Sequence, residues 1–220
     1  MCALGDILQA KLDKLLGNIK GVKDYIDGIL VLINDCFKNH IVQLSIIFGI
    51  LRAAVLKDNY PKCSFGLKEI TYLGYVITRE GIKPDPKELQ VIMYIRKPAT
   101  TIEARELIGV VHYYRDMWAR KSYELAPMTE AASGPNGRQM LWNDSLEIYF
   151  IELKRMVSDE KLLSYPDGKI PFTVHTGAYN KQLCAVISKN NKPIAFFSII
   201  LNKPQRKYTT TEKELLTILE

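Results

Sequence analysis

The spacing of hydrophobic residues changes several times along this chain, and each change predicts an element. Between Asp6 and Leu16 apolar residues recur at helical spacing, which predicts an amphipathic helix. Two β-prone runs then meet at Asp27-Gly28, and an Asp-Gly dipeptide in that setting is typical of a tight hairpin. We expect Gly28 to supply the positive φ of the turn and Asp27 to lie at its tip.

A second amphipathic helix is predicted after the hairpin, with Asn34 or Asp35 as its N-cap. The apolar residues of this helix are Ile41, Leu44, Ile47, Phe48, Leu51 and Val55. The aromatic and β-branched runs 62–65 and 72–77 follow it and predict strands.

The middle of the chain is predicted to be helical after a proline-containing break at 84–86. Thr100 and Glu103 form a capping-box pattern at the start of one helix, and Asn143 or Asp144 caps a later one. The apolar residues of the first helix are Leu107, Val110, Val111, Tyr114, Met117 and Trp118, and those of the second are Leu146, Tyr149, Phe150, Leu153, Met156 and Val157. These stripes are interpreted as core.

The last third of the chain returns to strand patterns at 171–176, 183–188 and 193–198. A helix start at 209–212 follows, and Glu214 lies in the first turns of that helix. Helices and strands are segregated along the chain, which predicts an α+β fold.

Composition and charge narrow the function classes. The 220 residues carry a formal net charge of +6, which is compatible with a polyanionic partner. Four cysteines and three histidines are scattered without zinc-ligand spacing, so neither a disulfide framework nor structural zinc is expected. The sequence shows no membrane-span pattern and no secretory signal, so we expect no membrane partner and an intracellular location, cytoplasmic or nuclear.

Several short motifs resemble, in order, those of the pol polyproteins of gypsy-type LTR retrotransposons. The hairpin Tyr25-Ile26-Asp27-Gly28 is similar to the Tyr-x-Asp-Asp hairpin of reverse transcriptases. The other motifs that carry the resemblance are 61–65, 72–82, 108–115, 125–129, 163–167, 193–198 and 208–216. Their joint order covers essentially the whole chain, which is identified as a member of this family.

The resemblance implies three parts of one polyprotein. Residues 1–82 are similar to the C-terminal part of a reverse-transcriptase palm, 83–160 to a helical thumb or connection, and 161–220 to the N-terminal part of an RNase H-like domain, which is incomplete in this sequence. The activity of the lineage is RNA-directed DNA polymerisation with cleavage of RNA in RNA–DNA hybrids. The implied partners are an RNA–DNA hybrid or DNA duplex and other parts of a pol polyprotein.

Both activities of the family use paired Mg²⁺ or Mn²⁺ ions held by carboxylates. Asp27 matches the first aspartate of the polymerase hairpin, but Gly28 replaces the second. Gly177 replaces the first-strand aspartate of RNase H, and Glu214 matches its helix glutamate, with Glu212 as a close alternative. Without the resemblance, Asp27 is a turn residue and Glu214 a first-turn acid favoured by the helix dipole.

We therefore expect a truncated and decayed copy that is catalytically impaired or inactive and binds metal weakly if at all. Whether the chain is an enzyme stays open at this point. The alternative is a non-enzymatic nucleic-acid-binding remnant, or a pseudogene product with no selected role.

Nucleic-acid contacts are expected from the hairpin in 72–82, which in the family guides the primer end. Tyr72 and Tyr75 are candidates for stacking on bases or sugars, and the alternative is that both are half-buried strand residues. The basic candidates for phosphate contact are Lys68, Arg79, Arg105 and Arg115, and also Arg120 and Lys121.

Four further positions depart from the family pattern. Val55 stands where glycine is usual, Ala119 where proline is usual, and Ile199-Ile200 where a basic pair is usual. The last change removes positive charge from a surface expected to face nucleic acid.

Overall fold

The computed structural model describes residues 2–33, 35–159, 161–166 and 168–220. They form two compact units, Met1–Lys68 and Glu69–Glu220. The boundaries expected at 82/83 and 160/161 separate parts of a polyprotein, whereas the two units are defined by compactness. Those boundaries stay predictions.

The first unit is two helices and a hairpin. Its elements are α1 (Cys2–Leu16), β1 (Val22–Tyr25), β2 (Gly28–Val31), α2 (Phe37–Ala53) and a 3-10 turn (Tyr60–Lys62). The strands pair antiparallel, with Val22 opposite Val31 and Tyr25 opposite Gly28. The small core contains Leu12, Leu16, Val22, Ile47 and Leu51. Both predicted helices and the hairpin are confirmed.

Two local predictions in this unit are wrong. The N-cap of α2 is Cys36, because the Asp35 carboxylate lies one residue further out and accepts the Cys36 N–H at 2.7 Å and the Asn39 amide. Asn34 lies outside the described residues. The predicted strand at 62–65 is absent, since Pro61 opens a 3-10 turn over Tyr60–Lys62 and 63–65 is irregular.

The end of α2 places Val55 in a conformation that glycine adopts readily, which agrees with the glycine that the family resemblance implies at position 55. The N–H of Val55 binds the Arg52 carbonyl at 3.1 Å, and that of Leu56 binds the Leu51 carbonyl at 2.9 Å, which is a Schellman ending. Val55 has a φ of 58°, a left-handed conformation that costs a residue other than glycine about 1–2 kcal/mol. Val55 is also exposed, so it does not extend the predicted apolar face.

The second unit contains two three-stranded sheets and five helices within the described part of the chain. The first sheet is β3 (Ile70–Tyr72), β4 (Tyr75–Ile77) and β5 (Ile82–Pro84). The helices α3 to α6 are Pro86–Tyr94, Thr101–Tyr113, Lys121–Ala131 and Asp144–Ser158. The second sheet is β6 (Thr173–Ala178), β7 (Gln182–Lys189) and β8 (Lys192–Ile200), followed by a 3-10 turn (Gln205–Lys207) and α7 (Thr210–Leu219). Both sheets are antiparallel in chain order.

The run 72–77, which has a strand pattern, contains the turn of the hairpin expected in 72–82 and joins β3 to β4. Leu73 and Gly74 both have positive φ, 48° and 71°, as a two-residue turn with a right-handed strand twist requires. Tyr72 therefore ends β3 and pairs with Tyr75 at the start of β4. The glycine in this segment marks a chain reversal.

The predicted caps are largely confirmed. Asn143 caps α6 by accepting the Leu146 N–H at 2.8 Å, which settles the choice against Asp144. Thr100 caps α4 by accepting the Glu103 N–H. In a complete capping box the Glu103 carboxylate would accept the Thr100 N–H, but here it accepts the N–H of Ala99, one residue earlier. Thr209 and Glu212 form a complete capping box at α7.

The stripes of apolar residues in the middle of the chain form the main core, as expected. Leu107, Val111, Trp118 and Leu153 are at most 1% exposed. Trp118 lies beyond the end of α4 at Tyr113 and is nevertheless fully buried, whereas Val110, inside the helix, is exposed. Burial of these side chains is the dominant favourable term in forming the unit.

The helices are joined to the C-terminal sheet by polar contacts between α5 and β8. The Ser122 N–H donates to Ser198 Oγ at 3.0 Å, and Ser122 Oγ donates to the Ser198 carbonyl at 2.6 Å. The Phe196 N–H also binds the Asp116 carbonyl at 3.0 Å.

The predicted α+β fold is confirmed. Among the described residues, no helix combines the length and apolar character that crossing a bilayer requires.

Candidate metal-binding and nucleic-acid-binding residues

Asp27 lies at the tip of the β1–β2 hairpin, as predicted, and its side chain is exposed. The two residues of the turn are Ile26 and Asp27, and the positive φ of 53° belongs to Ile26. Gly28 is the first residue of β2 and pairs with Tyr25, so the expectation that Gly28 supplies the positive φ is wrong. A β-branched residue at positive φ is unusual and strained.

Gln9 of α1 ties the helix to this hairpin, and no sequence pattern had singled it out. Its Oε1 accepts the Ile26 N–H, while its Nε2 donates to Asp24 Oδ2 and to Asp13 Oδ1, each at 2.9 Å. Gln9 and Asp13 are one helical turn apart, a spacing at which polar side chains meet, and that is the local signal that was available. Burial, and then the neighbouring Asp13 charge, raise the pKa of Asp24.

Gly177 lies within β6 and pairs with Cys184 of β7. The Cys184 sulfur is 3.5 Å from the Gly177 carbonyl oxygen. A Cβ added at position 177 would lie 3.4 Å from that sulfur and 3.7 Å from the Tyr179 ring, which are ordinary van der Waals contacts. Packing around position 177 therefore leaves room for the beginning of a side chain, although the sequence has none there.

Glu212 and Glu214, the two candidates on α7, have different surroundings. The Glu212 carboxylate accepts the Thr209 N–H at 2.7 Å and the Thr209 hydroxyl at 2.9 Å, and these bonds lower the pKa of Glu212. Glu212 thus serves the start of the helix. Glu214 is exposed on a helix that packs against β6 and β7, and its role as a metal ligand stays a prediction.

Tyrosines hold the β3–β4 hairpin against the end of α4. The Tyr113 hydroxyl donates to the Leu73 carbonyl at 2.8 Å and the Tyr114 hydroxyl to the Gly74 carbonyl at 3.0 Å. The Tyr75 ring lies 5.1 Å from the Tyr114 ring, and its hydroxyl donates to the Tyr113 carbonyl at 3.1 Å. Burial raises the pKa of Tyr75 to about 12.

Tyr72 and Tyr75 are both half-buried, so the strand alternative describes their surroundings. Tyr75 in particular has its ring and hydroxyl engaged within the fold. Their contact with nucleic acid stays a prediction.

The basic candidates differ in how far their charges are engaged. The Arg105 guanidinium donates to the Ala132 and Gly134 carbonyls at 2.8 and 2.6 Å and to the Asn136 side chain, so it closes the 132–137 loop. Arg115 is exposed and lies 3.6 Å from the Asp116 carboxylate. Lys68 and Arg79 are exposed.

Lys121, named beside them, is buried. Its Nζ lies 3.3 Å from His112 Nδ1, which excludes it from the surface candidates.

The carboxylates present do not fit a two-metal centre by themselves. No three His, Cys, Asp or Glu side chains among the described residues form a metal-binding group. Asp27 belongs to the first unit and Glu214 to the second. A pair of divalent ions needs several oxygen ligands around a shared centre.

Comparison with known proteins shows which family this chain resembles. Residues 142–220 match the model of the RNase H-like domain found in reverse transcriptase. The retrovirus-related Pol polyprotein from transposon 297 of Drosophila melanogaster is 32% identical over 197 residues, 89% of this chain. An uncharacterized mitochondrial protein of Arabidopsis thaliana is 32% identical over 124 residues, which are 56% of this chain and 77% of that protein. The chain belongs to the retrovirus-related Pol polyprotein family.

This Pol polyprotein chain spans only 18% of the length of the transposon 297 protein. It spans 21% of the Pol polyprotein from transposon gypsy of the same fly, to which it is 26% identical over 99% of its own length. Among solved structures, the foamy viral protease-reverse transcriptase in complex with double-stranded DNA has a TM-score of 0.89 and 25% identity. That match covers 97% of this chain and 38% of the viral one. The family and fold expected from the sequence are confirmed.

Proposed function

We propose that this chain is a reverse transcriptase and RNase H-like segment of a Pol polyprotein that binds a nucleic-acid duplex and is impaired in, or lacks, both chemical activities. Binding is supported by the net charge of +6 and by the nucleic acids present in solved structures of the same fold. The foamy viral protein of the same fold was solved with double-stranded DNA and also with an RNA/DNA hybrid.

The observation that carries the loss of activity is Gly177. It lies within β6, where the family resemblance places the first RNase H aspartate, and only a hydrogen stands where a carboxylate would begin. Gly28 makes the same change beside Asp27 in the other unit. Each substitution removes a metal ligand without removing the element that carried it.

Divalent ions would supply an activated nucleophile and neutralise charge on the phosphate, but Asp27 and Glu214 alone do not hold such a pair. We therefore assign no catalytic step to this chain. What remains is a folded surface with a net positive charge.

The proposal is tested with the purified chain in primer-extension and hybrid-cleavage assays with Mg²⁺ or Mn²⁺. We expect no turnover with either ion. Turnover that disappears in Asp27→Asn or Glu214→Gln would show that one site still works and would overturn the inactivity.

Duplex binding is measured separately by fluorescence anisotropy with a labelled RNA–DNA hybrid. Because phosphate contacts release counterions, affinity is expected to fall steeply between about 50 and 200 mM salt. A binding curve that does not change with salt would contradict an electrostatic duplex-binding surface.

A further inference from the structure

We propose that one end of the C-terminal sheet binds nucleic-acid phosphates directly, without a divalent ion. This surface, the basic end, consists of Arg120, Lys181, Lys203 and Arg206, at the side where β6 turns into β7 and β8 leaves the sheet. The inference rests on the proposed function and specifies which surface performs the binding.

Backbone contacts bring three of the four residues together. The Leu201 N–H donates to the Lys181 carbonyl at 2.9 Å, which joins the β6–β7 turn to the exit of β8. Arg206 Nε donates to the Leu201 carbonyl at 2.9 Å, so the segment after β8 folds back to the same place. Lys203 lies within that segment, and Lys181 and Lys203 are exposed.

Arg120 reaches this end of the sheet from the helices. Its guanidinium lies 5.3 Å above the centre of the Tyr179 ring, and its Nη2 donates to the Tyr179 hydroxyl at 3.3 Å. Tyr179 belongs to the same turn as Lys181, and its N–H binds the Gln182 carbonyl. Arg120 directly precedes α5, whose Ser122 is fixed to Ser198 of β8, so both ends of the contact are held.

The acidic side chains near the basic end lie on the Arg120 side, where Glu124, Glu152 and Asp159 line one cavity together with Arg120. Among the described residues, the ion pairs within 4.0 Å involve other cations, namely Lys97, Arg115, Arg155 and Lys161. Glu124, one turn along α5, interacts with the Arg120 charge; burial nevertheless raises the pKa of this carboxyl. A guanidinium stacked on a ring keeps its remaining donors for a phosphate, which its planar fork suits.

Gly177 is the reason that phosphate binding at the basic end needs no divalent ion. Gly177 lies on β6 beside Cys184, two residues before Tyr179. Burial raises the pKa of the Cys184 thiol, and the Arg120 charge opposes this shift. A carboxylate at position 177 would bring negative charge towards Arg120 and would need a cation before a phosphate could approach. With glycine there, the nearby arginine and lysines meet the phosphate themselves.

The test compares single charge removals at the two ends of the same sheet. Lys181→Gln, Lys203→Gln and Arg120→Gln are measured against Lys192→Gln, which removes an exposed lysine at the β7–β8 turn, the opposite end. Anisotropy titrations with a labelled RNA–DNA hybrid are run at several salt concentrations, with and without EDTA. Circular dichroism checks the fold, and the exposed Lys181 and Lys203 keep the test valid if Arg120→Gln does not fold.

We expect each basic-end variant to weaken binding several-fold and to reduce the slope of log affinity against log salt by about 1. Lys192→Gln is expected to leave the slope unchanged, and EDTA to leave wild-type binding unchanged. Equal effects at both ends of the sheet would overturn the assignment of phosphate binding to the basic end, and loss of binding in EDTA would overturn its independence from divalent ions. Either result would leave duplex binding established. Failure of the unchanged protein to bind the hybrid at all would instead contradict the proposed function.

Discussion

The two units each carry a hairpin with a two-residue turn, and the two turns are stabilised in different ways. At the β1–β2 tip the positive φ falls on Ile26, and a side-chain amide from Gln9 binds the backbone there. At the β3–β4 tip both Leu73 and Gly74 have positive φ, and two tyrosine hydroxyls bind their carbonyls. The first tip presents an exposed carboxylate, and the second is packed into the fold.

The difference shows that glycine beside a motif does not by itself mark the strained position of a turn. Gly28 is adjacent to the first turn but takes a strand conformation, so an aspartate at this position, which the family resemblance implies, would not need a different turn geometry. Gly74 is needed for its conformation and for the close approach of Tyr114. The two hairpins therefore make opposite predictions for mutation.

The largest expected effect is that of Gly74→Ala. A Cβ at this position would lie 2.8 Å from the Tyr114 hydroxyl and would be held at a φ of 71°. Left-handed strain and the loss of a partly buried hydrogen bond together predict destabilisation of about 2–3 kcal/mol, measured by chemical denaturation. Gly109→Ala is the matched control, since nothing lies within 4 Å of its Cβ and alanine favours the helix. Equal losses of unfolding free energy in the two variants would contradict the conclusion that this turn requires glycine beside Tyr114.

An alkaline transition is expected from the same tyrosines. Burial raises the pKa of Tyr75 to about 12 and also raises the pKa of Tyr114, from an ordinary value of 10.0. Below pH 10 both folded and unfolded chains keep these protons, so their contribution to stability is complete. Above pH 10 only the unfolded chain releases them, and the free energy of unfolding falls towards pH 12.

The measurement is urea denaturation at pH 9, 10 and 11. Tyr75→Phe should flatten the loss of stability with pH. Tyr94→Phe, which removes an exposed tyrosine, serves as the control. An identical pH dependence in the wild type and Tyr75→Phe would rule out Tyr75 as a source of the transition.

Gln9→Ala tests whether the hydrogen bonds of Gln9 stabilise the β1–β2 hairpin. It removes one acceptor for Ile26 and the donor shared by Asp13 and Asp24, in a partly exposed setting. We expect a loss of about 1 kcal/mol and faster amide exchange at Ile26. Lys11→Ala, on the same helix, is the control. Unchanged exchange at Ile26 would mean that the turn holds its conformation without Gln9.

The smallest effect is a gain in stability at the two β-branched residues with positive φ. Ile26→Gly and Val55→Gly relieve left-handed strain at exposed positions, and the greater entropy of the unfolded glycine chain offsets part of the gain. We expect a net increase of about 0.5–1 kcal/mol in unfolding free energy for each. Destabilisation by Val55→Gly would contradict the interpretation of the end of α2.

Local patterns predicted those elements whose partners are close in the chain. The tip position of Asp27, the Asn143 cap and the helix start at 209–212 all depend on residues within four positions, and all are observed. The burial of Trp118 was also predicted, because an apolar stripe remains apolar even where the helix ends early.

The contacts that local patterns did not predict join distant residues. Gln9 meets Ile26 across 17 positions, Ser122 meets Ser198 across 76, and Arg120 meets Tyr179 across 59. No single-sequence spacing rule reports such pairs. The hairpin expected within 72–82 is observed, and the pairing of Tyr72 with Tyr75 places its turn at Leu73-Gly74, which the strand pattern of 72–77 did not locate.

The space beside Gly177 has an evolutionary consequence. Codons for glycine and aspartate can differ by a single nucleotide, and the first atom of a new side chain would meet Cys184 and Tyr179 at normal contact distances. Packing therefore leaves room for the Cβ of an aspartate at position 177. Under the loss of activity proposed above, one such mutation would restore a carboxylate at position 177 on an unchanged β6 backbone.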